Sequence, residues 1–207
     1  MKGRYTGVVK PNAVMPSCGG SDQQEVLDVI ATLRGETRRQ CERLAEALGA
    51  HELCRVLHAI RRWYTGQSWA CARVILAHRG ALSKAMDLRP PVGAYRGFKV
   101  PRTSPLAQST VGAKIVLPVK LNGGCSSWTL GRSLADRFSG SPQGKVGLVV
   151  RLASGEGVQT FVAPPERCAP WFNTLYARTM GTSHRHKERE VAIFAKRVHV
   201  EVVAVKR

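Results

Sequence analysis

The hydrophobic period of this chain changes once, at Pro90 and Pro91, and that change limits the folds open to it. Ahead of the prolines apolar residues recur at helical spacing; behind them the spacing falls towards two. Helices first and strands second predict an α+β architecture, with a helical region packed on a β-structure.

The helical part reads as four segments. Ser21 and Asp22 suit the N-cap of a helix with Val26, Leu27, Ile30 and Leu33 on one stripe, and Gly35 reads as its stop. Cys41, Leu44, Ala45 and Leu48 mark a second helix closed by Gly49, and Leu53, Val56, Leu57, Ile60 and Trp63 mark a third. A fourth runs from about 68 to 87, with Trp69, Ala72, Ile75, Leu76, Leu82 and Met86 inward, until Pro90 and Pro91 end it. These stripes read as a packed bundle with no site of its own. Residues 1 to 20, rich in Gly, Pro and Ser, read as an irregular arm ahead of a helical region at 21 to 91.

Seven candidate strands lie beyond the prolines, at 94 to 100, 113 to 119, 124 to 129, 146 to 152, 158 to 163, 188 to 194 and 197 to 205. One short helix, 131 to 138, interrupts them. The stretch from 164 to 187 reads as a long connection broken by "APPE" and "MGTSH", and loops of that length tend to be functional.

At 207 residues and 43% hydrophobic content the chain can bury an ordinary core. No apolar run is long enough to span a bilayer, and the first ten residues are basic without the apolar stretch of a signal peptide, which predicts a cytoplasmic protein. Six scattered cysteines without a CxxC pair or a neighbouring His at metal-ligand spacing read as reduced thiols, and no metal is expected. Residues 1 to 93 hold 14 Lys and Arg against 8 acids, whereas residues 94 to 207 hold 18 against 6. The net charge of +18 thus concentrates in the strand-rich half, where it would attract polyanions or acidic protein surfaces.

Three motifs in that half carry candidate chemistry. "AYRGFKV" (94 to 100) sets Arg96 inside an apolar run, and "GCSSWTLGRSLADRF" (124 to 138) feeds small hydroxyl residues into a helical pattern. "EREVAIF" (188 to 194) begins with Glu188 and Glu190, which period two would aim from one face of a strand while Arg189 points away. A phosphate-cradling Gly-Lys-Ser/Thr loop, a Gly-x-Gly-x-x-Gly turn and a Gly-x-Ser-x-Gly elbow do not occur.

Arginine, then hydroxyl, then Glu-x-Glu is the order found in arginine-specific mono-ADP-ribosyltransferases, and residues 92 to 207 resemble that family. The resemblance implies an ADP-ribosyltransferase catalytic domain over 92 to 207, built as a mixed β-sandwich, with NAD as substrate and no metal. It implies that Arg96 binds the NAD phosphates, as a planar guanidinium suits a diphosphate, and that Gly97 lets the backbone approach the nicotinamide amide. Ser127 and Thr129 match the Ser-x-Ser/Thr triplet, and Phe138, eleven residues after Ser127, matches the ring that stacks on nicotinamide. The loop from 139 to 145 would be the lip over NAD, with Lys145 where the family often has an arginine. Glu190 matches the catalytic glutamate, oriented by Ser127, and Glu188 the acid that positions the acceptor arginine.

The same resemblance implies an enzyme that transfers ADP-ribose from NAD to an arginine of a target protein. Small size and basic charge look like phage-encoded enzymes or bacterial toxins that act on host RNA polymerase or ribosome-associated proteins. His184, Arg185, His186 and Lys187 form a basic turn before the glutamates, fit to meet an acidic or phosphate-bearing partner. Two other readings stand beside this one: a noncatalytic basic nucleic-acid-binding protein, which the charge favours, and an NAD glycohydrolase of the same fold.

Overall fold

The computed structural model of the chain describes residues 18–66, 68–119, 122–140, 144–181 and 189–207. Helices α1 (Gly20–Thr32), α2 (Gly35–Leu48), α3 (Ala50–Gly66), α4 (Trp69–Ala77) and α5 (Arg79–Leu82) precede the strands, in the predicted order. Their boundaries differ from expectation in places, each with a local cause. The N-cap of α1 is Gly19, whose amide is held by the Asp22 side chain at 3.3 Å. Gly35, at φ 55°, opens α2 rather than closing α1. The expected fourth helix breaks at His78, which leaves α4 and the single turn of α5.

Seven strands come next: β1 (Tyr95–Pro101), β2 (Lys114–Pro118), β3 (Cys125–Thr129), β4 (Lys145–Leu152), β5 (Gln159–Val162), β6 (Glu190–Phe194) and β7 (Arg197–Lys206). Helix α6 (Arg132–Phe138) lies between β3 and β4. The expectation of a mixed sandwich is corrected here. The strands form one sheet in the order β2-β7-β4-β1-β3-β6-β5, and every pairing is antiparallel. Apart from β5 and β6, strands consecutive in sequence are not neighbours in the sheet, a topology that strand periodicity does not encode.

The long connection is also corrected. Between β5 and β6 lies α7 (Pro170–Met180), with Pro170 in its first turn and Phe172, Leu175, Tyr176 and Met180 buried. Pro164 and Gly181 bound this helix but do not exclude it. α7 packs on α1, α2 and α3, so the helical layer draws on both halves of the sequence.

Two cores divide the molecule along β6. Ala192 faces the helices, sharing a cluster with Trp63, Phe161, Phe172 and Leu175, whereas Val191 and Ile193 face a second cluster with Leu148, Val150, Val200 and Val202. Period two thus serves both layers at once. A polar tie joins helices to sheet as well: Arg79 Nε donates to the Thr160 carbonyl at 2.9 Å.

Candidate active site

β1 pairs with β4 along its whole length but meets β3 at one position, Tyr95 opposite Thr129. Beyond that pair the two strands part. A pocket of about 200 Å³ opens at the junction, lined by Tyr95, Arg96 and Gly97 from β1, Ser127, Trp128 and Thr129 from β3, Leu134 and Phe138 from α6, and Glu190 from β6. Sequence motifs far apart along the chain are brought together here.

Glu190 is the most constrained member. It is 2% exposed, and register places it opposite Thr129 with Ser127 two residues along β3 on the same face. The Ser127 hydroxyl donates to Glu190 Oε1. A second donor reaches the same oxygen from the helical layer: Trp63 Nε1, at 2.8 Å. Trp63 is wholly buried and packed edge-on against Phe161 at 4.9 Å between ring centroids. Charge-assisted bonds from two separate elements hold this carboxylate in place.

Arg96 is half-buried beside it. Burial lowers the guanidinium pKa from its ordinary value, and attraction to the Glu190 carboxylate opposes that shift. Arg96 also borders an adjoining cavity of about 300 Å³, together with Phe98, Leu117 and Trp128. The Phe138 ring is 52% exposed, a large apolar surface at the edge of the pocket. Thr129 is buried, and its Oγ1 accepts from the Gly131 amide at 3.0 Å, which fixes the turn into α6.

Gly97 has a packing cause beside the role expected of it. A Cβ there would stand 1.7 Å from the Ala135 carbonyl oxygen, so the residue is glycine because the end of α6 lies directly on β1. Gly147, on the neighbouring strand β4, meets the Ser139 carbonyl oxygen in the same way, also at 1.7 Å. Together they seat α6, and with it Phe138, against the sheet. Ser139 belongs to that seat rather than to a lip, since it is fully buried as the C-cap of α6.

Other expected residues are not gathered here. Lys145 starts β4 opposite Pro101 and is not among the residues lining the pocket. Glu188 lies outside the described residues, as does the basic turn from His184 to Lys187. Among the described residues the expected strand from 188 is shorter at its start: β6 begins at Glu190, and Arg189 just ahead of it has a left-handed backbone, φ 44°. Arg189 Nε donates to Glu166 Oε1 at 2.5 Å.

Trp63 is the site residue that sequence reading passed over. Its stripe is otherwise aliphatic, and an indole placed at a core position needs a partner for its N–H. That need was the available signal. Comparison with family models, curated proteins and solved structures returns no match to the chain.

Proposed function

We propose that the protein is a mono-ADP-ribosyltransferase that moves ADP-ribose from NAD to an arginine of a target protein and releases nicotinamide. The observation that carries this reading is the meeting of Arg96, Ser127 and Glu190 in one pocket at the β1/β3 junction.

In this reading the bond between nicotinamide and the ribose C1′ breaks, and its electron pair leaves with nicotinamide. The sugar becomes oxocarbenium-like, and the Glu190 carboxylate, held by Ser127 and Trp63, stabilises that charge as glycosidase carboxylates do. Prior fixation matters because a carboxylate that need not reorient costs nothing at the moment of reaction. A guanidino nitrogen of the acceptor then bonds to C1′ and gives up a proton, for which Glu188 is the proposed base. The exposed Phe138 face offers a stacking surface for nicotinamide. The second cavity, which shares Arg96 and Trp128 with the first, gives a dinucleotide room to extend past the arginine that would hold its diphosphate. The strongly basic strand-rich half suits a target within an acidic or nucleoprotein assembly such as RNA polymerase or a ribosome.

Incubation with labelled NAD and a cell lysate tests the reading directly. Labelled protein bands support transfer, free ADP-ribose alone supports a glycohydrolase, and no turnover leaves a binding protein. Glu188→Gln separates the first two more finely. It is expected to suppress arginine modification well beyond NAD hydrolysis, and equal losses in both would remove Glu188 from the acceptor role.

A further inference from the structure

Cys54 and His58 are four residues apart on α3, so both side chains leave the same face of the helix. Cys18, two residues ahead of α1, meets them there. The two sulfurs and an imidazole nitrogen all lie within 4.8 Å of one another, with both cysteines buried and His58 half-buried. No part of the proposed NAD chemistry uses this cluster. We propose that Cys18, Cys54 and His58 bind a zinc ion, with water in the fourth position.

The geometry is close to what zinc requires. Bonds of about 2.3 Å to sulfur and about 2.0–2.1 Å to nitrogen, at tetrahedral angles, set ligand atoms roughly 3.5–3.8 Å apart. A contraction of at most about 1.3 Å, within the reach of side-chain rotation, closes the cluster around an ion. Charge balances too: two thiolates and a neutral imidazole cancel the two positive charges of zinc, so the buried unit is neutral. Binding releases the two thiol protons to solvent. Thiolate and imidazole ligands select zinc over magnesium or calcium, which prefer oxygen.

The spacing Cys54-x-x-x-His58, which the sequence reading does not count as metal-ligand spacing, sets a thiol and an imidazole one helical turn apart, and the third member is supplied only by folding. The ion would staple the start of α1 to α3, the helix whose far end carries Trp63. The site is separate from the pocket at the β1/β3 junction, and it stands whether or not the chain handles NAD.

The test uses the full chain, reduced and metal-free, titrated with Co²⁺ and then Zn²⁺. One equivalent of Co²⁺ is expected to give thiolate-to-cobalt charge-transfer bands and the visible bands of a tetrahedral ion, and Zn²⁺ should displace them. Losing an outer partner of a metal ligand costs about 10–100-fold in affinity, so Cys54→Ser and His58→Asn, which remove ligands, should cost more than that. Cys168→Ser, away from the cluster, should change nothing. Zn²⁺ should raise the Tm of the wild type and not of Cys18→Ser; that variant lies ahead of the first helix and decides the matter if Cys54→Ser fails to fold. Absence of a thiolate band, or bands that survive in the Cys18→Ser/Cys54→Ser double variant, overturns the proposal. So does formation of a Cys18 to Cys54 disulfide with no metal uptake by the reduced protein.

Discussion

β1 has two neighbours and treats them differently. With β4 it pairs through all seven residues, from Tyr95 opposite Arg151 to Pro101 opposite Lys145; with β3 it pairs at Tyr95 alone. The sheet makes its pocket by withholding ladder bonds at one junction. Neither strand is left loose by this, because β3 pairs in full with β6 on its other side. The β1 side brings an arginine and a glycine that seats α6, while the β3/β6 side brings a hydroxyl and a buried carboxylate. In the proposed reaction the first side grips the substrate and the second performs the chemistry. Substitutions on the two sides should therefore separate in KM and kcat.

The largest effect is expected on the β3/β6 side. Glu190→Gln keeps the shape of the side chain and an oxygen for Ser127 and Trp63 to bond, but removes the charge that stabilises the sugar cation. Transfer and NAD hydrolysis should both fall by about 10²–10³-fold or more, with the circular dichroism spectrum unchanged. A folded variant with wild-type turnover would sink the assignment.

Gly97→Ala attacks the other side through packing. The added methyl meets a backbone carbonyl, which cannot rotate away, so α6 must lift from β1. Overpacking of this kind costs typically about 1–3 kcal/mol and sometimes more. For a chain of this size that is roughly a 2–12 °C fall in Tm, readable by calorimetry, and a displaced Phe138 should weaken NAD binding as well. An unchanged Tm would mean that the seat of α6 has slack.

These two variants mark where sequence reading succeeds and where it stops. Period and turn residues locate six strands to within one residue at each end, and the seventh, expected at 188 to 194, begins two residues later at Glu190. Alternation reports which faces are buried, and in β6 both faces are, with a carboxylate at the first position. The motif residues Arg96, Ser127 and Glu190 are legible because each is the wrong type for its apolar surroundings. Strand order is not legible, since pairing between β1 and β4 or β2 and β7 depends on chain crossings that leave no local trace. Nor is α7: prolines on its approach suggest an irregular loop, although Pro170 sits at a first-turn position that helices accept. Gly97 is visible as a glycine, but the Ala135 carbonyl that requires one there belongs to another element altogether.

Trp63 sharpens the comparison because it acts on the β3/β6 side from outside the sheet. Trp63→Phe retains a buried ring against Phe161 and removes only the N–H that reaches Glu190. A hydrogen bond to a charged group contributes about 1.5–3 kcal/mol. Stability should fall by about that amount, and kcat by roughly 4–13-fold if half of the bond's contribution serves to hold the carboxylate for the transition state. The NAD KM should stay close to wild type. If stability falls and kcat does not, Trp63 is a core residue that happens to touch the site, and the helical layer has no part in the chemistry.

The smallest effect is expected from Arg96→Lys, and it is the one that separates the two sides most cleanly. The substitution keeps a positive charge beside Glu190, so the carboxylate retains its electrostatic partner. What is lost is the planar fork that can donate two parallel hydrogen bonds to a diphosphate. Loss of one bond at about 1 kcal/mol corresponds to a rise of roughly fivefold in the NAD KM. Turnover at saturating NAD should be nearly unaffected, because the sugar cation is stabilised from β6. A fall in kcat with an unchanged KM would reverse the assignment, placing Arg96 with the reacting centre and leaving the grip on the diphosphate to other residues.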